Sequence, residues 1–304
     1  MHGIIKVLFG QIRIHSYTAT NIDSQVIRAP NENFLRRGVH SISRGLPKKL
    51  PIAGVKNILL VASGKGGVGK STIATNLSIA LSKRCSVGLL DADVFGPSIP
   101  MMMNVSDVPE SNHQKLIIPV NNYNIKCMSM GLLVDEESPV VWRGLMVMQA
   151  IKKLLRGVRW GPLDVLVIDM PPGTGDTQLS ITQEIPIQGV VLVTTPQSVA
   201  VADCIKGAEM FRKVEVPIVG VVENMSYYQC TDCGNKHHIF GSNLQDKLKG
   251  KALRDVEILG ELPVKPGISE NCDSGTPSVI LDPEISDIFD NIVSSVIPFL
   301  ELDD

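Results

Sequence analysis

Gly64-Lys65-Gly66-Gly67-Val68-Gly69-Lys70-Ser71-Thr72 is the stretch that decides the fold of this chain. A short apolar run at residues 58–62 precedes it, and residues 73–81 place apolar side chains at helical spacing. A strand, a Gly-rich loop and a helix in this order form the context that a phosphate-binding loop requires. Gly64, Gly69, Lys70 and Ser71 fill the fixed positions of the pattern G-x-x-x-x-G-K-[ST]. The stretch therefore predicts a nucleoside triphosphate site.

Each fixed position of this loop has a chemical reason. Glycines let backbone N–H groups converge on phosphate oxygens without a Cβ in the way. The N-terminus of the following helix adds the positive end of its dipole. We expect Lys70 to reach the β- and γ-phosphates and Ser71 to ligate Mg²⁺.

Composition and charge narrow the class of protein. The chain has 304 residues, of which 44% are hydrophobic and 20% charged, and no apolar run approaches the length of a membrane span. Positive charge is concentrated in residues 1–53, which carry a net charge of +6, whereas the remainder carries −8. An acidic body argues against a nucleic-acid groove.

The N-terminal segment differs in composition from the rest. Residues 1–22 contain no acid and interleave apolar residues with Lys6, Arg13 and His15. This composition favours a mitochondrial transit peptide over a disordered basic tail, and a secretory signal is disfavoured by the polar breaks. We expect residues 1–42 to be a transit peptide and lead-in, residues 43–304 to form one domain, and the protein to reside in the mitochondrial matrix.

From residue 56 onward, short apolar runs alternate with helix-patterned segments. The predicted strands are residues 58–63, 86–91, 125–130, 164–169, 189–195, 217–224 and 256–261. The predicted helices are residues 70–83, 143–156, 176–184, 199–213, 242–248 and 284–296. This alternation predicts a doubly wound α/β domain with a mainly parallel sheet and helices on both faces. Ligands in such sheets bind at the carboxyl ends of the strands.

Two of these strands end in carboxylates. Asp169 ends a buried strand, and such an aspartate holds Mg²⁺ in P-loop enzymes, directly or through water. A Pro/Gly-dense turn follows it and can bring the N–H of Gly173 near a γ-phosphate. Asp91 and Asp93 follow another strand; we assign Asp93 to the attacking water and Asp91 to a more structural role. The alternative is that both acids cap a short helix.

Lys65 stands at a loop position where a generic P-loop makes no demand. It could cross a dimer interface and neutralise the phosphates of the partner, as an arginine finger does. It could equally be a solvated loop lysine, and spacing alone leaves the choice open.

Cys230 and Cys233 form the only closely spaced cysteine pair of the six cysteines. One C-x-x-C supplies two thiolates, whereas a tetrahedral site needs four ligands. Two copies across a dimer axis would supply four. The rivals are a zinc knuckle completed by His237 or His238, which spacing alone favours slightly, and a redox dithiol. We expect the other four cysteines to act as small apolar side chains that fill space.

The loop from Gly64 to Thr72 resembles the deviant Walker A motif of the dimeric ATPase class that includes the nitrogenase iron protein, MinD and ParA. Residues 91–97 and 169–176 resemble the two switch regions of that class. Met170-Pro171-Pro172-Gly173-Thr174-Gly175-Asp176 is similar to the Mrp/ApbC branch, as are Arg143-Gly144 and Glu223-Asn224-Met225-Ser226. The similarity covers roughly residues 43–300.

Members of that branch carry or transfer iron–sulfur clusters. The resemblance implies a homodimer that binds ATP and Mg²⁺ through Gly64 to Thr72, hydrolyses ATP slowly, and bridges a [4Fe–4S] cluster between Cys230 and Cys233 of two subunits. It also implies that Lys65 acts in trans and that Asn224 recognises adenine with help from the loop around Pro263. A mitochondrial member would help assemble the clusters of respiratory complex I, whose apoproteins would be its partners.

Two other functions remain to be weighed. A positioning ATPase of the MinD/ParA kind with a zinc-binding C-x-x-C is one. The acidic body weighs against it, and so does the predicted last helix, which has an apolar face and no Lys or Arg. A GTPase is the other, but no N-K-x-D sequence is present to read guanine.

Overall fold

The computed structural model describes residues 49–133, 144–230, 232–248, 253 and 255–302. Every described residue belongs to one compact unit of the chain. The predicted transit peptide lies outside the described residues, as does Arg143. Among the described residues, no helix is long and apolar enough to cross a membrane.

Strands and helices alternate along the described chain. The strands are β1 (Val55–Ser63), β2 (Val87–Asp91), β3 (Val120–Asn122), β4 (Ile125–Ser129), β5 (Leu163–Asp169), β6 (Gly189–Thr194), β7 (Ile218–Gln229), β8 (Lys236–His237) and β9 (Ile258–Pro263). The helices are α1 (Lys70–Ser82), α2 (Ile99–Met102), α3 (Gly144–Arg156), α4 (Asp176–Glu184), α5 (Ser198–Lys213), α6 (Leu244–Leu248), α7 (Pro266–Asp273), α8 (Ser278–Leu281) and α9 (Pro283–Val296).

One mainly parallel sheet joins the strands in the order β3-β4-β2-β5-β1-β6-β7-β8, with β9 also paired to β7. The pairs β3–β4 and β7–β8 are antiparallel, and they lie at the two ends of this order. The predicted doubly wound α/β fold is therefore confirmed. The sheet order places β1 between β5 and β6, so the phosphate loop emerges from the centre of the sheet.

The central strands are buried on both faces, which explains their nearly continuous apolar runs. Leu60 and Ala62 of β1 belong to one apolar core, whereas Leu59 and Val61 belong to the core on the opposite face. This alternation follows from the two-residue period of a strand. Helices α3, α4 and α5 supply side chains to the first core, and α1 and α9 to the second.

Helix α9 packs on α1 and β9, as its apolar face predicted. Ile285, Phe289, Ile292 and Val293 on this face are fully buried. The other face is polar, and Asp290 pairs with the Nζ of Lys83 at 2.9 Å. The helix is therefore part of the core.

Asn57 ties the end of the chain to the sheet. Its Nδ2 donates to the carbonyls of Asp164 at 2.9 Å and Glu301 at 3.0 Å, and its Oδ1 accepts the N–H of Glu301 at 2.9 Å. The side chain is fully buried. No apolar side chain could replace these three hydrogen bonds.

We expect Asn57→Ala to lower the free energy of unfolding by about 2–3 kcal/mol, because it removes three hydrogen bonds made by a fully buried side chain. Urea unfolding of the two proteins measures the difference. The exposed Asn121 provides the control, and Asn121→Ala should change stability by less than ~0.5 kcal/mol. Equal effects of the two substitutions would contradict this account.

Candidate functional site

The phosphate loop connects β1 to α1 and needs glycine for two different reasons. Gly67 and Gly69 have φ angles of +79° and +85°, in the left-handed region that favours glycine. A Cβ on Gly64 would overlap the backbone of Asp203 in α5. The loop is therefore held in shape by backbone conformation at one end and by close packing at the other.

Lys70, Ser71 and Asp169 meet at the base of this loop. The Nζ of Lys70 lies 2.5 Å from Oδ1 of Asp169, and the hydroxyl of Ser71 donates to Oδ2 at 2.5 Å. Lys70 and Asp169 are both buried. Burial raises the pKa of Asp169, and the Lys70 ammonium and the Ser71 hydroxyl act in the opposite direction. The structure thus brings together three of the predicted site residues.

Asp91 is the anchor of the loop that follows β2. Its carboxylate accepts the N–H groups of Asp93 at 3.1 Å, Ser98 at 3.1 Å and Ile99 at 3.3 Å. It also accepts the hydroxyl of Ser129 at 3.1 Å. Because the Ile99 N–H opens α2, Asp91 caps that helix, which is what the alternative interpretation expected of this residue.

The electrostatics of Asp91 reflect its position beside a second carboxylate. β2 and β5 pair in register, so that Asp91 stands opposite Asp169. Burial, followed by the nearby charge of Asp169, raises the pKa of Asp91 to about 7. The same site therefore holds two buried carboxyl groups and one buried ammonium.

Asp93 and Gly173 lie on two loops that face each other. We call residues 91–98 the first loop and residues 169–176 the second loop. Oδ1 of Asp93 accepts the N–H of Gly96 at 3.3 Å. The N–H of Gly173, whose φ is +96°, donates to the carbonyl of Ser63 at 3.0 Å. Gly173 must release this carbonyl before its N–H can reach a phosphate.

A cavity of about 410 Å³ separates the two loops; we call it the inter-loop cavity. It is lined by Asp93, Phe95, Gly96, Pro171, Pro172, Gly175, Thr177 and Gln178. Phe95 is 67% exposed at its edge. The predicted water-positioning residue Asp93 therefore faces open space beside the second loop.

Asn224 contacts the phosphate loop, but Pro263 has different neighbours. The Nδ2 of Asn224 donates to the carbonyl of Val68 at 2.9 Å. Pro263 ends β9 opposite Tyr227 and lines a cavity of about 400 Å³ that also includes Cys230. Pro263, whose loop the resemblance gives a supporting part in adenine recognition, thus shares a cavity with Cys230.

The C-x-x-C follows β7 directly, because β7 continues to Gln229 and does not end at Asn224 as predicted. Met225 adopts a φ of +55° where the register of β7 against β9 shifts, and the strand then pairs with β8. Cys230 and Cys233 therefore lie between two antiparallel strands, with Cys233 exposed and Cys230 half-buried.

The surroundings of Cys230 favour a thiolate. Backbone N–H groups of Cys233 and Asp232 lower the pKa of the Cys230 thiol, with a further contribution from the Cys233 thiol. By contrast, burial raises the pKa of Cys127 and Cys204 to about 12. This difference separates Cys230 from Cys127 and Cys204.

Within the described residues, the side chains of the predicted zinc knuckle are not gathered into a metal site. Nδ1 of His238 bonds to the carbonyl of Ser226 at 3.0 Å, and its ring packs against Tyr227. In the described chain, no three His, Cys, Asp or Glu side chains lie together as a metal site. A site at Cys230 and Cys233 would therefore need ligands from elsewhere.

Sequence reasoning missed Ser129 and Gln178, and it gave Glu223 no role of its own. Ser129 ends β4 beside Asp91, and only the sheet order reveals this proximity. Gln178 lies under the second loop, and its amide donates to the carbonyl of Pro171 at 2.5 Å. Burial and Glu261 raise the pKa of Glu223, which neighbours Asn224. No spacing rule signals such contacts.

The fold and this site define a P-loop NTPase. The chain matches the family model described as the ParA family "NUBPL iron-transfer P-loop NTPase" over residues 54–297. It belongs to that family.

Individual relatives agree with this assignment. The chain is 55% identical to the mouse "Iron-sulfur cluster transfer protein NUBPL" over 262 residues, covering 85% of this chain and 82% of the relative. It is 48% identical to the Arabidopsis thaliana "Iron-sulfur protein required for NADH dehydrogenase, mitochondrial", covering 84% and 83%.

Solved structures extend the comparison. A nucleotide-binding protein from Archaeoglobus fulgidus, in complex with ADP, superposes with a TM-score of 0.61 at 33% identity, covering 73% of this chain and 87% of that one. The cell division ATPase MinD of Pyrococcus furiosus gives a TM-score of 0.58 at 22% identity, covering 80% and 99%. The second likeness concerns the fold alone.

We expect Lys70→Met to lower the free energy of unfolding at neutral pH by about 3–5 kcal/mol, because it leaves the buried carboxylate of Asp169 unpaired. The loss should shrink as the pH falls, since the raised pKa of Asp169 lets this carboxyl take up a proton. Urea unfolding across pH, in protein free of nucleotide and metal, tests this.

Two control variants sharpen the test. Adding Asp169→Asn to Lys70→Met should recover most of the loss, because no buried charge then remains unpaired. Lys83→Met breaks an exposed pair and should cost less than ~1 kcal/mol. A Lys70→Met protein as stable as the Lys83→Met protein would show that the buried pair does not matter.

Proposed function

We propose that this chain is an ATP-dependent scaffold and carrier of iron–sulfur clusters. It acts as a homodimer in the mitochondrial matrix and delivers a [4Fe–4S] cluster to NADH dehydrogenase, which is respiratory complex I. Membership of an iron-transfer family supports an iron–sulfur cluster as the cargo. The Arabidopsis relative named for NADH dehydrogenase supports that enzyme as the recipient. The positioning-ATPase alternative has less support, since MinD resembles this chain in fold alone.

The observation that carries the proposal is the placement of two sites along one strand. β7 holds Asn224, which contacts the phosphate loop, and the same strand runs to Gln229, immediately before Cys230. A nucleotide site and a thiolate pair are thus joined by continuous backbone.

ATP and Mg²⁺ fit the residues at the phosphate loop. The Ser71 hydroxyl and the Asp169 carboxylate, which lie together, are oxygen ligands of the kind that Mg²⁺ prefers. The exposed backbone of Gly66 and Gly67 is free of neighbouring atoms where a Cβ would stand. When the nucleotide binds, the ammonium of Lys70 would leave Asp169 and contact the phosphates.

Hydrolysis requires further residues around the γ-phosphate. Asp93 faces the inter-loop cavity and would orient the attacking water. The Gly173 N–H would leave the Ser63 carbonyl and stabilise charge on the phosphate. Lys65 is half-buried, and in the described residues its ammonium makes no ion pair; it would contact the phosphates of the partner subunit.

The cluster is cargo held between subunits. Two copies of Cys230 and Cys233 across a two-fold axis supply four thiolates, the usual ligand set of a [4Fe–4S] cluster. Backbone N–H groups directed at the sulfur of Cys230 stabilise a thiolate ligand. Movement of the two loops after hydrolysis would change the subunit geometry and loosen the cluster.

We expect anaerobic reconstitution with iron and sulfide to give broad visible absorbance and about two iron atoms per chain, because one cluster of four irons is shared by two chains. Cys230→Ser should abolish this absorbance. Cys85→Ser, which changes a half-buried cysteine outside the C-x-x-C, should leave it intact.

Two results would contradict the cluster assignment. One is undiminished iron and sulfide in the Cys230→Ser/Cys233→Ser double variant. The other is one zinc per chain without iron in protein purified in the absence of oxygen.

We expect the stable Lys70→Met/Asp169→Asn double variant to lose ATP binding by at least about tenfold, because it lacks the phosphate-binding ammonium. Calorimetric titration with Mg·ATP measures the affinity, and a Lys83→Met protein provides the control. An affinity equal to that of the unmodified chain would rule out the phosphate-loop site.

A further inference from the structure

Gln178 holds an unusual position beneath the second loop. It lies in the first turn of α4, is 1% exposed, and lines the inter-loop cavity together with Asp93. Among the described residues, only two buried side-chain polar atoms lack a hydrogen-bond partner: Oε1 of Gln178 and Oγ1 of Thr195. The first of these belongs to a residue that borders the proposed hydrolytic site.

The orientation of this side chain is fixed by its one hydrogen bond. The Nε2 of Gln178 donates to the carbonyl of Pro171 at 2.5 Å. Because a carbonyl only accepts, the amide nitrogen must face Pro171 and Oε1 must face away from it. The amide orientation is therefore fixed, and Oε1 is the atom that lacks a partner.

Pro171 is two residues before Gly173, so Gln178 supports the backbone that carries the Gly173 N–H. In this structure that N–H donates to the carbonyl of Ser63 at 3.0 Å. A buried acceptor without a donor raises the free energy of the arrangement that contains it. In the arrangement of the second loop seen here, no group of the described residues donates to Oε1 of Gln178.

We propose that Gln178 is a positioning residue for ATP hydrolysis. Its amide N–H holds the Pro171 carbonyl, and its Oε1 accepts a hydrogen bond in the inter-loop cavity when the second loop moves to place the Gly173 N–H on the γ-phosphate. A water molecule is the donor, because the cavity is large enough to hold several and Asp93 supplies a second polar partner. Gln178 thereby favours the arrangement that is competent for hydrolysis.

This inference rests on the proposed ATPase activity, and its test separates the two. Gln178→Met has a side chain of similar length and removes both the donor and the unpaired acceptor. We expect kcat for ATP to fall by about tenfold, the effect of losing one hydrogen bond in the transition state, while KM and ATP affinity change less than about twofold. The melting temperature should fall little compared with the loss of kcat, because the substitution also removes a buried acceptor that has no donor.

Gln188→Met is the matched control. Oε1 of Gln188 accepts the N–H of Ile58 at 2.7 Å, at the start of β1 and away from both loops. This change should lower the melting temperature without altering kcat. If Gln178 had a purely structural role, Gln178→Met would resemble Gln188→Met and lower the melting temperature without altering kcat. A loss of kcat in Gln178→Met alone excludes that role.

Gln178→Glu adds a readout that packing cannot explain. At neutral pH its carboxylate would face the Pro171 carbonyl and repel it, so kcat should be low. Because burial favours the neutral form, lowering the pH from about 8 to about 6 should protonate the new carboxyl, which can then donate to Pro171. The kcat of this variant relative to the unmodified chain should therefore rise as the pH falls.

The outcomes are distinct. No hydrolysis by the unmodified chain would overturn the proposed ATPase and this inference with it. Hydrolysis by the unmodified chain and by Gln178→Met at equal kcat would overturn this inference alone. A loss of kcat in Gln178→Met matched by an equal loss of ATP affinity or of folded protein, or a Gln178→Glu profile parallel to the unmodified chain, would overturn it as well.

Discussion

The buried ion pair between Lys70 and Asp169 is the interaction on which the rest of the structure depends. Both groups are removed from water, and neither could be buried alone without a large cost. The pair joins the first residue of α1 to the last residue of β5, and it therefore fixes how the phosphate loop sits over the sheet. It also sets the charge environment of Asp91, which stands opposite Asp169 and retains a raised pKa.

The remaining polar groups at this edge are organised by the same need to avoid unpaired buried groups. The carboxylate of Asp91 gathers four donors and so holds the first loop. The amide of Asn224 donates a hydrogen bond to the carbonyl of Val68. Each bond restricts one loop. The second loop is held by the Gly173 N–H on the Ser63 carbonyl, and the amide oxygen of Gln178 beneath it has no partner among the described residues.

Local sequence patterns predicted the parts that depend on local physics. The phosphate loop, the parallel strands and the helix at residues 176–184 all follow from turn chemistry and apolar period, and the structure contains them. The extension of β7 beyond Asn224 could not be foreseen, because it depends on Met225 in a left-handed conformation and on pairing with β8 and β9. The contacts of Ser129 and Gln178 likewise arise from neighbours distant in sequence or from burial. The short helices α2, α7 and α8 were not predicted, because their sequences do not contain a full apolar period.

β7 connects the two candidate sites through continuous backbone, which allows their binding equilibria to be coupled. Asn224 and the residue before Cys230 belong to one strand, and Pro263, paired to that strand, lines a cavity with Cys230. If an occupied nucleotide site changes the affinity of the thiolates for their cargo by some factor, then the cargo must change nucleotide affinity by the same factor. A loaded carrier and an empty one would then differ in how tightly they hold ATP. Nucleotide affinity would therefore report whether a cluster is bound.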